Sequence, residues 1–349
     1  MRRSFREAVQ VAAVYVGTVI GAGFATGREI VEFFTQYGVL GLIGIIISGI
    51  LFMWIGTKMM IMARRIEASS YKEFNEYLFG KMLGTVVNVM MLFVLIGVTS
   101  VMLSGAGAVF HEQLGLSYQV GVLITMLLAV LVLHFGIKGL FNVNLVVVPI
   151  MIIFSIGLAV KVILDTNHSV LGVYTHPESW KWLVSPFLYA AFNIAMAQAV
   201  LVPLAKEVKS ESSLKWGGLL GGGALCLILV TSHISLSSLP NVEQFEIPMA
   251  EVMKTFLLSM HWLYILVIYG EIFTSVIGDI FGLQRQLGQI IKASNMIIIL
   301  LILLIAYLIS QLGYASLISF LYPIFGYVSL LLLVLLILPE KYIRSYKKK

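Results

Sequence analysis

The sequence predicts an all-α integral membrane protein with about ten transmembrane helices, and three observations carry that expectation. Of its 349 residues, 60% are hydrophobic and only 11% are charged, with a mean hydropathy of +0.99. A soluble domain carries roughly 25% charged residues, so these charges are too few to cover a water-facing surface of this size. Apolar runs long enough to cross a bilayer, which takes roughly 20 residues per helix, recur along the whole chain. The Lys and Arg residues fall almost entirely in alternate connections between those runs.

The runs lie near 8–36, 39–63, 82–110, 118–136, 140–164, 181–205, 214–238, 259–283, 293–311 and 314–338, here called spans 1 to 10. Span 1 follows Met1-Arg2-Arg3-Ser4-Phe5-Arg6 and so imitates a signal peptide. It continues past Gly23 to about Phe34, however, which is spanning length rather than a short h-region. With the N-terminus in the cytoplasm, every Lys and Arg except Arg28, Lys161, Lys181 and Lys254 lies on the cytoplasmic side. The positive-inside rule then places both termini in the cytoplasm of a multi-pass protein in the bacterial cytoplasmic membrane. The net charge of +6 becomes a basic inner face against anionic lipid of the bilayer, with no need for nucleic acid.

The lone Cys226 has no internal disulfide partner, and no Cys/His spacing suits zinc. The longest outer connections are 165–180 and 239–258; the second holds Ile247-Pro248-Met249-Ala250-Glu251-Val252, a short helix with Pro248 at its start. The expected organisation is a single membrane domain, with five spans in 1–164, five in 180–338 and a basic cytoplasmic tail at 339–349. Spans 1 and 6 run in opposite directions, so halves that share a fold are related by an axis in the membrane plane. No residue-level repeat supports this; it rests on the helix count and on the polar or small residues in the middle of spans 1 and 6.

Span 1 carries Gly17-Thr18-Val19-Ile20-Gly21-Ala22-Gly23-Phe24-Ala25-Thr26-Gly27 near the bilayer midplane. Each glycine weakens a helix by about 1 kcal/mol relative to Ala. An unwound turn there is tolerable only if it lines a cavity or binds something. The upper half-helix would then start near Phe24 or Ala25 and aim its positive end at an anionic group such as a carboxylate. Close packing through the pairs Gly17/Gly21 and Gly23/Gly27 is the other reading.

In span 8, Glu271, Thr274, Ser275 and Gly278 are spaced by three and four and share a face. An acid at mid-membrane costs at least ~2.5–3.5 kcal/mol on insertion scales and points to function. Oxygens on one face suit a hard cation such as sodium, or a hydrogen-bonded patch between helices. Span 6 holds Asn193 and Gln198 between Pro186 and Pro203, and no glycine marks a break, so an intact or an unwound helix fits equally. Arg28, Glu29 and Glu32 read as interfacial charges pairing locally rather than as an outer gate. Lys161 and His134 lie at span ends, where snorkelling accounts for them.

Gly17-Thr18-Val19-Ile20-Gly21-Ala22-Gly23 resembles the first-helix motif of the amino acid–polyamine–organocation superfamily, whose shared architecture is the LeuT fold. The stretch through Phe34, with Ala25-Thr26-Gly27-Arg28-Glu29, is most similar to the YkvI-like bacterial membrane proteins. The resemblance implies a five-plus-five inverted repeat with spans 1 and 6 interrupted and a small-molecule substrate held between them. It implies a sodium ion on the carbonyls of Gly17, Ile20 and Glu271 and the hydroxyls of Thr274 and Ser275. A substrate carboxylate would meet the backbone of Gly21, Ala22 and Gly23, with Phe24 beside them, Phe192 and Asn193 opposite, and Thr99 and Met102 as a further wall around Val98. The outer-gate arginine of sodium-coupled members falls on Gly27 instead, span 6 lacks the usual glycine, and Glu271 adds a side chain able to carry a proton.

The function expected is therefore secondary active transport: sodium- or proton-coupled symport of an amino acid or similar zwitterion by alternating access. Spans 1, 2, 6 and 7 would rock against spans 3, 4, 8 and 9. A membrane receptor or sensor that keeps the fold and binds without transport is the alternative. An enzyme is not expected, since no His-Glu zinc motif or Ser-His pairing is present.

Overall fold

A computed structural model describes residues 2–135, 137–165, 180–245, 247–288 and 290–337. The tail 339–349 and most of the outer connection 165–180 lie outside these residues. Among the described residues the regular structure is helical throughout, and each of the ten expected spans falls on helix. Six helices are long and apolar enough to cross a membrane, and Tyr118–His134 and Asn295–Ser310 are shorter apolar helices. Rows of exposed side chains such as Ile297, Leu300, Leu301, Leu304 and Leu308 supply the apolar exterior a lipid-facing protein needs. The protein is a multi-pass membrane protein.

Span 1 is broken twice. Helix α1 (Arg2–Val19) stops at Ile20 and Gly21, α2 (Ala22–Ala25) is a single turn, and α3 (Arg28–Phe33) follows Thr26 and Gly27. Gly27 has φ +83°, a left-handed conformation that costs a glycine nothing. The upper half expected to start near Phe24 or Ala25 is thus in two short pieces.

Span 2 comprises α4 (Val39–Leu51), a π-helical turn (Phe52–Gly56) and α5 (Thr57–Arg65). The π turn leaves the Phe52 carbonyl to an outside donor, the Tyr15 hydroxyl from α1 at 3.0 Å, which lies against Gly56 where a side chain would collide. Next come α6 (Tyr71–Phe79), α7 (Lys81–Leu114, span 3), α8 (Tyr118–His134, span 4) and α9 (Ile137–Asp165, span 5). The short α6 was not expected, although Ser70-Tyr71-Lys72-Glu73 is a capping box. Ser70 Oγ accepts from Glu73 N, and the Glu73 carboxylate accepts from Ser69 N at 2.7 Å.

Helix α10 (Lys181–Glu207, span 6) is continuous, which corrects the expectation that span 6 is interrupted. Pro186 and Pro203 sit inside it, near its ends. Pro203 has no N–H for the Ala199 carbonyl, and Gly282 of the neighbouring helix packs against that carbonyl instead. The remaining helices are α11 (Glu211–Leu236, span 7), α12 (Pro248–Phe256), α13 (His261–Leu287, span 8), α14 (Asn295–Ser310, span 9) and α15 (Tyr314–Ile337, span 10). Pro248 stands at the start of α12, as expected.

Packing sorts the helices into two groups. Helix α1 lies along α11, which also packs on α4 and α5, and α10 packs on α4, α5 and α1. Gly217, Gly221 and Gly222 of α11 face Val11, Tyr15 and Met53, so small residues allow this close approach. A Cβ at Gly222 would lie 2.5 Å from the Met53 backbone nitrogen, which has no side-chain freedom with which to yield. Gly222→Val is therefore expected to cost about 1–3 kcal/mol, read as a lower unfolding temperature in detergent. The second group joins α7, α8, α13 and α14.

Candidate functional site

The break in α1 faces α13. Ile20 N still bonds back to Val16 O at 2.9 Å, and helical bonding resumes with Ala25 N to Gly21 O at 2.8 Å. The last turn of α1 leaves its carbonyls without helical donors, and α13 supplies hydroxyls to two of them. Ser275 Oγ donates to Ile20 O in a short hydrogen bond. Thr274 Oγ1 lies 3.3 Å from Gly17 O and 2.9 Å from Glu271 O. All five residues expected at the cation site are thereby brought together, from helices 257 positions apart in sequence.

This donor set consists of three carbonyls and two hydroxyls. Thr274 is wholly buried and Ser275 nearly so. Each hydroxyl has two lone pairs and a rotatable proton, so both can turn from donating to a carbonyl to accepting a cation. Oxygen-only coordination fits a hard ion. Among the described residues no three His, Cys, Asp or Glu side chains cluster as metal ligands. Glu271 is fully buried and neither carboxyl oxygen has a hydrogen-bond partner in the described structure.

Beside this set lies a cavity lined by Thr18, Val19, Gly21, Glu29, Val98, Met102, Phe192, Asn193, Met196, Ser275 and Asp279. Its volume of about 20 Å³ holds roughly one water-sized group, so the site is closed around its centre. Gly21, Met102, Phe192 and Asn193, all expected at the substrate site, line it. Asn193 Nδ2 donates to Tyr189 O at 2.9 Å, and Phe192 stacks on Phe325 with ring centres 6.3 Å apart. Phe24 and Thr99 are buried but not in the lining, and the Thr99 hydroxyl donates to Leu95 O at 2.7 Å. Ala22 and Gly23 form the α2 turn itself.

Two acids escaped the sequence reading. Asp279 continues the Glu271/Ser275 stripe four residues on, a signal present in the spacing. Glu29 was expected at the interface among locally paired charges; it is 4% exposed, lines the cavity and presses its carboxyl against Gly23. The Arg28 guanidinium donates to the Phe245 carbonyl at 3.1 Å.

The end of the bundle that carries α3 is sealed. Met249 N, in the first turn of α12, donates to Thr26 O at 3.0 Å, and the Met249 side chain lies against Gly27. Tyr189 packs its ring against Phe33, Phe34 and Phe52 at 5.2, 4.9 and 6.0 Å.

A Cβ on Gly21 would lie 2.5 Å from Met102 Cε. A thioether end swings aside readily, so Gly21→Val is expected to cost about 1 kcal/mol of stability, the low end of the range for added bulk in a packed interior. The displaced methionine would fill the cavity, so any solute response of the wild type should disappear in the variant. Parallel unfolding and binding measurements on the two proteins check this.

The fold is one found among membrane transporters of known structure. The fold matches that of a Na+-coupled sialic acid symporter in a substrate-bound outward-open state, with TM-score 0.67 and 15% identity over 91% of this chain and 76% of that one. It also matches a mutant manganese transporter of Eremococcus coleocola, with TM-score 0.62 and 13% identity over 96% of this chain and 76% of the other. No family model matches the chain. The membrane protein YkvI of Bacillus subtilis (strain 168) is 51% identical over 330 residues, 95% of each chain. The chain belongs to the YkvI family of bacterial membrane proteins.

Proposed function

We propose that this protein is a secondary active transporter that couples a cation gradient to symport of a small solute, an amino acid or similar zwitterion in the class the resemblance implies, by alternating access. The observation that carries the reading is the meeting of the Thr274 and Ser275 hydroxyls with the Gly17 and Ile20 carbonyls at the α1 break. A cation there would tie α1 to α13, one helix from each packing group, and so make the relative position of the groups depend on the ion. Sodium is the ion these oxygens suit; Glu271 offers a proton site as the alternative.

The proposed arrangement is ten spans in an inverted repeat, with both termini in the cytoplasm. Packing supports it: adding five to each span number turns one packed pair into another. Spans 1 and 5 pack as 6 and 10 do, 1 and 7 as 6 and 2, 3 and 4 as 8 and 9, and 3 and 10 as 8 and 5.

Reconstitution into proteoliposomes tests the reading. Uptake of a labelled amino acid should be accelerated by an inward sodium gradient and not by an equal potassium gradient. Saturable binding with no uptake under any gradient would instead make the protein a receptor.

A further inference from the structure

A second cavity, of about 650 Å³, lies at the end of the bundle proposed to face the cytoplasm, apart from the α1 break. The ends of α8 and α13 and the start of α14 wall it, with Ser69 from the connection between spans 2 and 3. That volume is in the range of small-molecule sites, about 300–1,000 Å³. Its polar half is set to donate. Arg285 lines it, and among the described residues no Asp or Glu does. Phe281 lies under the guanidinium, its ring centre 5.3 Å from Cζ, and holds that charge at the wall.

Three side-chain oxygens of the lining are already accepting. Ser69 Oγ accepts from the Lys206 ammonium at 2.6 Å, Asn295 Oδ1 from Gln284 Nε2 at 2.8 Å, and Ser294 Oγ from Ile297 N as the cap of α14. A hydroxyl or amide whose oxygen is so engaged turns its own hydrogens elsewhere, so all three residues can donate into the cavity. The N–H groups of Asn295 and Met296 begin α14 and have no acceptor within that 16-residue helix, whose positive end stands behind them. Lys206 adds positive charge behind Ser69. Donors and positive charge on one wall suit anionic oxygen, and a phosphate can engage several of them at once. The opposite wall is apolar, made by Leu133, Met296 and Ile299. From there α8 and α14 continue with Leu127, Leu131, Ile297 and Leu300 exposed. A phosphate carrying hydrocarbon would use both walls.

We propose that this cavity binds the phosphate group of an organic phosphate, seated on Arg285 and the first turn of α14. Its apolar wall favours an anionic phospholipid of the inner leaflet over a soluble ester, since basic pockets between spans at that surface take such headgroups. Glu207 competes for Arg285, at 3.7 Å in a half-exposed pair. Pairs of that kind are weak, so a phosphate can displace it. The inference is independent of the solute and the coupling ion proposed above.

The purified full chain, stripped of lipid in detergent, is titrated separately with short-chain phosphatidylglycerol, short-chain phosphatidylcholine, glycerol 3-phosphate and inorganic phosphate. Binding is read by thermal shift and, for the lipids, by native mass spectrometry. Phosphatidylglycerol should bind saturably and at least about tenfold tighter than phosphatidylcholine, whose choline cancels the phosphate charge. Arg285→Gln should weaken it about tenfold or more, the change a lost charge-assisted contact makes. Glu207→Gln, which frees Arg285 from its competitor, should strengthen it. Glycerol 3-phosphate that binds as tightly, with the same dependence on Arg285, would uphold the phosphate site and make a soluble ester its occupant.

The proposal is overturned if neither phosphatidylglycerol nor glycerol 3-phosphate binds, or if Arg285→Gln leaves their binding unchanged. Phosphatidylcholine that binds as tightly as phosphatidylglycerol, with no response to glycerol 3-phosphate, would show an apolar lipid contact without a phosphate site and equally overturn it. So would inorganic phosphate that binds as tightly as either organic ligand, because the apolar wall would then contribute nothing. The wild-type titrations require no variant to fold, and Glu207→Gln alters a half-exposed side chain whose predicted gain in affinity a misfolded protein could not imitate.

Discussion

Thr274→Ala combined with Ser275→Ala is expected to remove the sodium response while leaving the protein folded. The two hydroxyls are two of five oxygens gathered at the α1 break, and both are buried. A contact to a charged group is worth about 1.5–3 kcal/mol, so losing two weakens sodium by at least about a hundredfold. Each Ala also leaves a buried α1 carbonyl without its hydroxyl donor, at about 1–3 kcal/mol, so the readout is the sodium-minus-potassium difference within each protein rather than its absolute stability. A ligand at 100 times its dissociation constant stabilises by about 2.7 kcal/mol, so the wild type should gain several degrees of unfolding temperature in sodium over potassium and the double variant almost none. Sodium-driven uptake should vanish in parallel. A double variant with a wild-type sodium response would place the ion elsewhere.

The two parts of the proposed site were legible because each is local in sequence, although their pairing came only from the resemblance. Four glycines in span 1 announce a weak turn whichever neighbours it has, and the spacing of Glu271, Thr274 and Ser275 fixes one face of an ordinary helix. Asp279 obeys the same spacing and was within reach of the same argument. Glu29 was not. Two breaks separate it from α1, and Gly27 turns the chain through a left-handed conformation, so helical periodicity counted from Gly17 says nothing about where residue 29 points. Span 6 misled for a related reason. The resemblance implied the interruption, while the span's own residues left an intact helix equally open; the helix stays whole, with Gly282 packed close to the Ala199 carbonyl that Pro203 leaves without a donor. Such compensation belongs to tertiary packing, which no window of sequence contains. The π turn in span 2 is likewise set by Tyr15, reaching in from another helix.

Glu271 decides between coupling ions, and its variants should differ in sign. Its carboxyl is fully buried with neither oxygen hydrogen-bonded in the described structure, while its backbone carbonyl accepts from Thr274 at 2.9 Å. A buried polar group left unsatisfied costs about 1–3 kcal/mol, so Glu271→Met, similar in volume and apolar, is expected to raise stability in sodium-free buffer by a comparable amount. A residue kept as part of a structural hydrogen-bond patch would give the opposite sign. If the carbonyl is the ligand that matters for sodium, Glu271→Gln should keep sodium-driven uptake, because the amide leaves the backbone oxygen in place. If the carboxyl carries a proton, the same variant should abolish uptake driven by a pH gradient yet preserve exchange of solute across the membrane, since the amide mimics the protonated acid. The oxygens of Thr274 and Ser275 have no evident use in carrying a proton, so sodium-driven uptake that survives Glu271→Gln is the result expected. Full-rate uptake by the wild type in sodium-free vesicles under an imposed pH gradient would make the proton the coupling ion instead.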